Sequence, residues 1–426
     1  MMSEKLALDG GQPVCSEKWP MWPSFEKSTA EAAMEPLLNG KVNYWTGEEG
    51  MKFEQAFADW CGAKYGISTA NGTTALHVAL GGLGVGPGDE VICTSYSFIA
   101  SSMCVAQAGA IPVFADVKKE DHTLDPAAIE AKITDKTRAI IPVHLYGNVC
   151  DMDAIMAIAE KHNLFVVEDC AQAHGATYNG KKVGTIGHVG AFSFCQSKTF
   201  TTAGEGGCII TDNEDVAWEC RSFRDHGYDV RERMRLLDME AKLPYIHTRI
   251  GFNFRMTEIQ SIVGLKELAR VDTWNLKNRR SNGEYLNENL SKIPEVLHLP
   301  PHKNGVVENG FWVYPLVMDI DKLSCDIDQF INALVAEGIP AGPVQWPQAY
   351  KEACYAQHRG FGKLNYPFSD PNTNPDSIDY ENTFCENAAW LEDRTLTLYT
   401  LHPVYDQTHM EMVVKAVNKV VDAYRK

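Results

Sequence analysis

Apolar and polar positions alternate along residues 65–211 in two kinds of block. Short apolar runs predict buried strands, and the longer stretches between them, with apolar residues at helical spacing, predict helices. The predicted strands are 65–69, 90–93, 111–117, 139–145, 164–167, 191–194 and 208–211, and the predicted helices are 75–83, 99–108, 126–133 and 152–162. Strands separated by helices in this rhythm predict an α/β fold with a mostly parallel sheet that is covered by helices on both faces.

The pattern changes on either side of this block. Residues 1–45 lack a clear period and contain two Trp-Pro pairs, which indicates an extended arm that packs on its own core or contacts another subunit. Polar residues dominate 224–250, which predicts an excursion near the functional site, and 359–383, which predicts an exposed loop. Further elements predicted are helices from about 251 to 290, a strand over 311–318, a helix over 327–337 and a last helix from Thr408.

The length of 426 residues favours two domains. We predict an N-terminal arm over 1–45, a large domain over 46–285 and a smaller C-terminal α+β domain over 286–426. Ligands of open α/β sheets bind at the carboxyl ends of the strands, so this edge of the large domain is where a site is expected.

The composition limits the classes of molecule that the protein could bind and the cellular compartment in which it could act. Lys and Arg total 39 against 56 Asp and Glu, and the net charge of −17 argues against nucleic acid or an anionic membrane as a partner. No run of 18 apolar residues and no signal-peptide pattern occurs, which predicts a cytoplasmic protein without a membrane segment. The 12 cysteines form no C-x-x-C pair, so we expect buried free thiols and neither disulfides nor a metal site.

Lys198 is the first candidate for chemistry. It lies on an irregular, partly Gly-rich segment between the predicted strands 191–194 and 208–211, hence at the rim of the sheet. Partial desolvation there would lower the pKa of its amine and make it a nucleophile toward carbonyls. The alternative is a solvated loop lysine, since most lysines are exposed.

A second candidate is the sequence Asn-Gly-Thr-Thr at 71–74, where a predicted strand meets a helix. Backbone N–H groups, two hydroxyls and the positive end of the helix would converge there on an anion such as phosphate, and Gly72 would allow close approach. The alternative is an ordinary threonine cap of the helix.

Further polar and aromatic residues follow the other predicted strands. Asp169 ends a buried run, where a carboxylate is costly unless a cation or hydrogen-bond donors meet it, or unless it caps a helix. Phe98 could stack on a flat ring, and Ser193 adds a hydroxyl five residues before Lys198. A phosphate cradle, a ring-stacking aromatic, a carboxylate for a protonated ring nitrogen and a lysine are the groups that pyridoxal 5'-phosphate (PLP) requires.

Taken together, these residues and their order resemble the DegT/DnrJ/StrS family of PLP-dependent sugar and aminocyclitol aminotransferases. The motifs that carry the resemblance are N-G-T-T-A-L at 71–76, P-V-H-L-Y-G at 142–147, E-D-C-A-Q-A-H-G at 168–175, F-S-F-x-x-x-K at 192–198 with G-E-G-G at 204–207, and G-F-N-F-R-M-T-E at 251–258. In this order the set is specific, although each motif alone is weak. The resemblance implies the fold type I of PLP-dependent transferases, which is aspartate aminotransferase-like, and a homodimer with shared sites.

The resemblance also implies a role for each matched position. Lys198 would form the Schiff base with PLP and act as general base, and Asp169 would pair with the pyridine N–H. Gln172 would lie by the ring hydroxyl and Phe98 on the ring face, while Gly72, Thr73 and Ser193 would hold the phosphate. Asn253 would reach the phosphate of the neighbouring subunit, Arg255 would face the carboxylate of the amino donor, and His402 would line the acceptor pocket or have a structural role. The stretch from Lys198 to Gly204 is one residue longer than is usual in the family, and Phe98 stands where several relatives have Trp.

The implied reaction moves an amino group from L-glutamate or L-glutamine to a nucleotide-linked keto sugar or to a keto cyclitol such as scyllo-inosose. It would serve amino-sugar, cell-surface glycan or aminocyclitol biosynthesis. Basic residues within 229–250 would receive a phosphate of the acceptor, or else form a solvated loop. Alternatives are a PLP dehydratase similar to 3-amino-5-hydroxybenzoate synthases and a non-catalytic PLP-binding regulator. A sugar 3-dehydrase is disfavoured, because those relatives carry histidine at the position of Lys198.

Overall fold

The computed structural model describes residues 4–237, 245–302 and 305–426. Its strands are β1 Tyr65–Thr69, β2 Glu90–Thr94, β3 Ile111–Ala115, β4 Thr137–Ile141, β5 Phe165–Asp169, β6 Thr177–Tyr178, β7 Lys181–Lys182, β8 Val189–Ser193, β9 Gly207–Thr211, β10 Val296–His298, β11 Val307–Glu308, β12 Tyr314–Met318, β13 Ala341–Pro343 and β14 Thr395–Leu398.

Helices alternate with single strands from β1 to β5, and elsewhere several helices or several strands follow one another. The helices are α1 Lys27–Ala33, α2 Glu35–Asn39, α3 Glu49–Cys61, α4 Gly72–Gly82, α5 Ala100–Gln107, α6 Pro126–Glu130, α7 Met152–His162, α8 Glu214–Arg224, α9 Val230–Leu237, α10 Glu258–Ala269, α11 Lys277–Leu290, α12 Ile327–Ala336, α13 Ala353–Ala356, α14 Glu386–Glu392 and α15 Gln407–Tyr424. Short 3₁₀ turns and one π-helical turn, 271–276, complete the regular structure.

The central sheet has seven strands in the order β1-β9-β8-β5-β4-β2-β3. All neighbours from β8 to β3 are parallel, and only β9 runs antiparallel to β1 and β8. The predicted α/β fold with a mostly parallel sheet is therefore confirmed. Gly207 of β9 pairs with both Thr69 and Ser193, so the carboxyl ends of β1 and β8 flank the start of β9 at the same end of the sheet.

Two groups of buried apolar side chains stabilise the fold. The first surrounds the central sheet, whose strands β2 and β3 are buried along their whole length, as the continuous apolar runs of a sheet covered on both faces require. The second lies between the antiparallel sheet β10-β12-β14-β13 and helices α11, α12 and α15. Residues 344–391 return to pack in the first group, and the domain boundary near 285 stays a prediction.

Two predictions of local structure need correction. The arm is not irregular throughout, because α1 and α2 form within it and α1 packs on α10 through Thr29 and Ala32. The loop 359–383 is not simply exposed, because Phe368 and Tyr380 are buried in an aromatic cluster beside β3. The polar segment 224–250 contains helix α9, while its residues 238–244 lie outside the described residues.

Two further features concern the cysteines and the lengths of the helices. All twelve cysteines are free, and ten of them are buried. None of the helices in the described ranges combines the length and the apolar character that a membrane-spanning segment needs.

Candidate active site

A cavity of about 1050 Å³ opens at the carboxyl edge of the central sheet. It is lined by the ends of β5 and β8, by the start of α4, and by residues of the C-terminal third of the chain such as Trp312 and Trp346. Eight of the predicted site residues line it: Gly72, Thr73, Phe98, Asp169, Gln172, Ser193, Lys198 and His402.

One end of the cavity is built from the start of α4 and the end of β8. Asn71 caps the helix by accepting a hydrogen bond from the backbone N–H of Thr74 at 2.9 Å, and the Thr74 hydroxyl accepts one from the Asn71 N–H at 3.1 Å. The cap is therefore asparagine and not threonine. The hydroxyl of Thr73 has no hydrogen-bond partner within the described part of the chain and is free for a ligand.

Gly72 is required at this end by close packing. A Cβ atom at position 72 would lie 2.5 Å from the Cβ of Ser193, which is shorter than any normal contact. The glycine therefore lets the first turn of α4 and the end of β8 approach each other. Backbone N–H groups of the helix start and the Ser193 hydroxyl thus face one small volume, which suits a phosphate group.

Lys198 is buried, with only 9% of its surface exposed. Its Nζ lies 4.0 Å from the centre of the Trp312 ring, in the range of a cation–π contact. Burial lowers its pKa to about 8, although the negative charge of Asp169 opposes the shift. A substantial fraction of this amine is consequently neutral at mildly alkaline pH, as a nucleophile or a base requires.

Asp169 ends β5 and faces the same cavity. Its Oδ2 accepts a hydrogen bond from the Ser101 hydroxyl at 2.7 Å, and its Oδ1 accepts one from the Ala171 N–H at 3.1 Å. Burial raises the pKa of the Asp169 carboxyl, and these two donors act against the rise. A buried carboxylate with so few donors can accept a further proton-bearing group from a ligand.

The preceding residue, Glu168, points to the other side of the sheet and is already satisfied. It accepts hydrogen bonds from His144 Nε2 at 2.9 Å and from backbone N–H groups of 184, 186 and 187. The Nδ1 of His144 accepts from the backbone N–H of Cys150, so its Nε2 is the donor to Glu168. This buried group, with Cys170, is the one cluster with metal-ligand spacing in the described ranges, and its polar atoms are occupied by the protein itself.

Gln172 and Phe98 lie on the remaining sides of the cavity. The Oε1 of Gln172 accepts a hydrogen bond from the backbone N–H of Tyr146 at 2.9 Å, which leaves its amide N–H₂ for a ligand. Phe98 is 40% exposed, and its ring meets the ring of Trp346 edge to face at 4.5 Å. Trp346 therefore supports one side of Phe98 and leaves part of the ring open to the cavity.

Asn253 and Arg255 do not line this cavity. Asn253 is exposed. The guanidinium of Arg255 is paired with the buried carboxylate of Asp225, which also accepts a hydrogen bond from the Trp45 indole N–H. The roles expected for Asn253 and Arg255 stay predictions.

His402 stacks on Trp22 of the N-terminal arm, with ring centres 5.4 Å apart and planes 11° apart. The indole N–H of Trp22 donates to the backbone carbonyl of Lys198 at 3.3 Å. The arm thus packs on the rest of its own chain at this point, and it covers one side of the cavity.

Several contacts at the cavity are not visible in the sequence. Ser101, Trp312 and Trp346 support Asp169, Lys198 and Phe98 respectively, yet each is remote in sequence from its partner or belongs to a different element. No local motif marks them. The single hint is the aromatic character of Trp312 and Trp346 beside otherwise regular apolar strands.

The cavity fits PLP by the types of group that it offers. A cradle that a single added Cβ would fill, a buried carboxylate with room for another donor and a buried lysine of lowered pKa occupy one cavity. These are the groups that a phosphate, a protonated pyridine nitrogen and an aldehyde need.

Comparison with known proteins gives the same result. A sequence profile of the DegT/DnrJ/EryC1/StrS aminotransferase family matches residues 24–418. GDP-perosamine synthase of Caulobacter vibrioides is 44% identical over 297 residues, which are 70% of this chain and 76% of that protein. The L-glutamine:2-deoxy-scyllo-inosose aminotransferase of Streptomyces paromomycinus is 32% identical over 427 residues, which are 99% of this chain and 98% of that protein.

Among solved structures, an aminotransferase from Psychrobacter cryohalolentis superposes with a TM-score of 0.84 and 35% identity, over 95% of this chain and 99% of that one. The chain therefore belongs to the DegT/DnrJ/EryC1/StrS aminotransferase family and is a PLP-dependent transaminase.

Proposed function

We propose that this transaminase moves an amino group from L-glutamate or L-glutamine to a nucleotide-linked keto sugar or to a keto cyclitol, in the synthesis of amino sugars or aminocyclitols. The observation that carries the proposal is the buried amine of Lys198, whose pKa is lowered to about 8, in one cavity with Asp169 and the Gly72–Ser193 cradle. The names of the two relatives supply the two classes of acceptor.

When bound, PLP supplies an electron sink for the bond that breaks at the substrate carbon. Lys198 would hold the cofactor covalently through Nζ, and the amine that a substrate displaces would take the proton from the α-carbon of the amino donor. A base with a pKa near the working pH suits this transfer. In the second half of the reaction the same Nζ would return a proton to the carbon of the acceptor.

The other residues of the cavity would bind the cofactor and fix its orientation. The Asp169 carboxylate would keep a proton on the pyridine nitrogen, while Ser101 and the Ala171 N–H keep that carboxylate in place. Gly72, Thr73 and Ser193 would bind the phosphate. Phe98 would cover a ring face, and the amide of Gln172 would donate to the ring oxygen.

We further propose a homodimer. Large apolar side chains on the arm and its helices, among them Met21, Leu37 and Leu38, are more than half exposed in the single chain. Asn253 and Phe252 are exposed beside the cavity. A partner subunit that covered these residues would remove apolar surface from water and bring Asn253 to the neighbouring site. Twelve free cysteines support a reducing cytoplasm as the place of action.

The proposed reaction is tested by absorbance spectra of the PLP-loaded protein before and after addition of L-glutamate or L-glutamine. We expect the visible band of the bound cofactor to disappear with one of the two donors. The aminated protein is then offered nucleotide-linked keto sugars and inososes, and the acceptor is the compound that restores the band. A band that responds to neither donor would contradict the transaminase reaction and favour elimination of water or a regulatory role.

A further inference from the structure

Arg279 in α11 carries a buried charge without a carboxylate partner. The residue is fully buried, and its Nε donates to the Asn275 side-chain oxygen at 2.7 Å. One NH1 bond goes to the backbone carbonyl of Trp312 at 2.9 Å. No acidic side chain lies within ion-pair distance of it in the described part of the chain. Burial lowers its pKa to about 9, which still leaves it charged at neutral pH.

The last donor of Arg279, NH2, lies 3.2 Å from Nδ1 of His402. A guanidinium has donors and no acceptor, so Nδ1 of His402 must accept this hydrogen bond. The ring proton of His402 is therefore on Nε2. Burial lowers the pKa of His402 to about 2, and the charge of Arg279 adds to this shift.

The Nε2–H group of His402 is the free end of the ring. It has no hydrogen-bond partner within the described ranges, and His402 lines the cavity. Trp22 stacks on the His402 ring, and its indole N–H donates to the backbone carbonyl of Lys198. The Nε2–H of His402 is therefore on the side of the cavity that carries Lys198. Besides Arg279, the titratable group that faces His402 is Tyr405, whose hydroxyl donates to the carbonyl of Pro20.

We propose that Arg279 and Trp22 hold His402 as a neutral donor whose Nε2–H binds a carboxylate oxygen of the amino-acid substrate. This inference rests on the proposed function, because it requires an amino acid to react in the cavity. His402 is then a substrate-binding residue, and Arg279 is a positioning residue.

Two arguments favour a carboxylate over another oxygen. The charge of Arg279 lies directly behind the imidazole and polarises its N–H, so an anion gains more than a neutral acceptor. A carboxylate is also the group that glutamate and glutamine share and that keto sugars and keto cyclitols lack. Arg255, expected at this carboxylate from the family resemblance, is occupied by Asp225 within the chain.

The first test measures the protonation of the ring and needs no substrate. In ¹⁵N NMR spectra of histidine-labelled holoenzyme, with His402→Phe used for assignment, we expect a proton on Nε2 of His402 and no titration from about pH 5.5 to 8.5. In Arg279→Met, Nδ1 of His402 loses its hydrogen-bond donor, so we expect the proton to be shared between Nδ1 and Nε2. A proton on Nδ1, or an ordinary titration in the wild type, would overturn the positioning role.

The second test separates the two halves of the reaction. Absorbance-monitored titration with the amino donor should give a half-saturation concentration about 10- to 100-fold higher in His402→Phe, which keeps the ring but loses the N–H. His402→Gln, which restores an N–H donor, should recover most of the loss. His409→Phe is the matched control, because His409 lies on the far side of Tyr405 and outside the cavity.

The outcomes of the second test are distinct. An unchanged donor half-saturation in His402→Phe, or a change confined to the reaction with the acceptor, would overturn the carboxylate assignment. Failure of the wild type to react with either amino acid would instead contradict the proposed function, while the NMR result would still decide the positioning role of Arg279.

Discussion

The burial of Lys198 has a measurable effect on stability as well as on reactivity. In the cofactor-free protein its pKa falls from 10.5 to about 8, mainly because burial disfavours the charged amine. The folded pKa is below the unfolded one, so the unfolded chain binds more protons between these values and stability should rise with pH across this window. Below about pH 8 the full penalty applies, roughly 3 kcal/mol.

Lys198→Met should therefore abolish transamination and yet stabilise the cofactor-free protein at pH 7, by up to roughly 3 kcal/mol. Its unfolding free energy should also lose the rise between pH 8 and 10.5 that this lysine contributes. Urea unfolding at several pH values measures both effects. The exposed Lys181→Met serves as control and should leave stability almost unchanged. Equal stability of Lys198→Met and wild type at pH 7 would show that the amine is not desolvated.

At Gly72, a single added carbon atom should affect both the stability of the fold and the binding of PLP. Gly72→Ala places a Cβ 2.5 Å from the Cβ of Ser193, so the start of α4 and the end of β8 must separate. We expect a stability loss of about 1–3 kcal/mol and weaker binding of PLP, measured by fluorescence titration. Gly86→Ala is the control, because its new Cβ meets only one backbone oxygen at 3.5 Å. Wild-type affinity in Gly72→Ala would disprove the phosphate cradle.

A site residue can be predicted from the sequence when the neighbouring residues in the chain determine its position in the fold. Lys198 and Asp169 are detectable because each lies within four residues of the end of a predicted strand, so their position at the sheet edge follows from the strand prediction. Ser101, Trp312 and Arg279 act on residues that are 68, 114 and 123 positions away in sequence. Tertiary packing alone brings them together, and no periodicity of one segment contains that information.

At the scale of elements, the cap of α4 links helix stability to ligand binding. Asn71→Ala removes the acceptor for the Thr74 N–H and should cost about 1 kcal/mol of unfolding free energy. It should also lower the affinity for PLP, because the same helix start forms the cradle. Asp326→Ala removes an equivalent cap from α12, far from the cavity. That variant should lose similar stability with unchanged affinity, and an equal loss of affinity in both would refute the local role of the α4 cap.

The predicted strands of the central sheet agree with the structure to within four residues at either end, because most of them are apolar runs. The helices of the arm are not predictable in this way, since α1 and α2 are only 7 and 5 residues long and show no sustained period. Their helical form depends on packing against α10. The burial within 359–383 depends on tertiary packing as well, because the Pro and Asn residues of this segment are typical of exposed loops while a few aromatic side chains attach it to the large sheet.

At the scale of the whole molecule, the single chain leaves two features without a partner. Asn253 is exposed and outside its own cavity, and apolar side chains of the arm, such as Leu37 and Leu38, face water. Both features are explained if two chains associate and each supplies Asn253 to the site of the other. We expect sedimentation to give a dimer, and Leu37→Glu with Leu38→Glu to weaken it.

Complementation distinguishes a shared site from a merely dimeric protein. Lys198→Met and Asn253→Ala should each have little activity as pure proteins. In a mixed dimer, one site would lack both residues and the other would have both, so each mixed dimer would contain one complete site. After denaturation and refolding of an equal mixture, half of the dimers are mixed, and activity should recover to about a quarter of wild type. If each chain formed its site alone, the activity of the refolded mixture would not exceed the mean activity of the two pure variants. Neither variant chain would then gain the residue that it lacks from its neighbour.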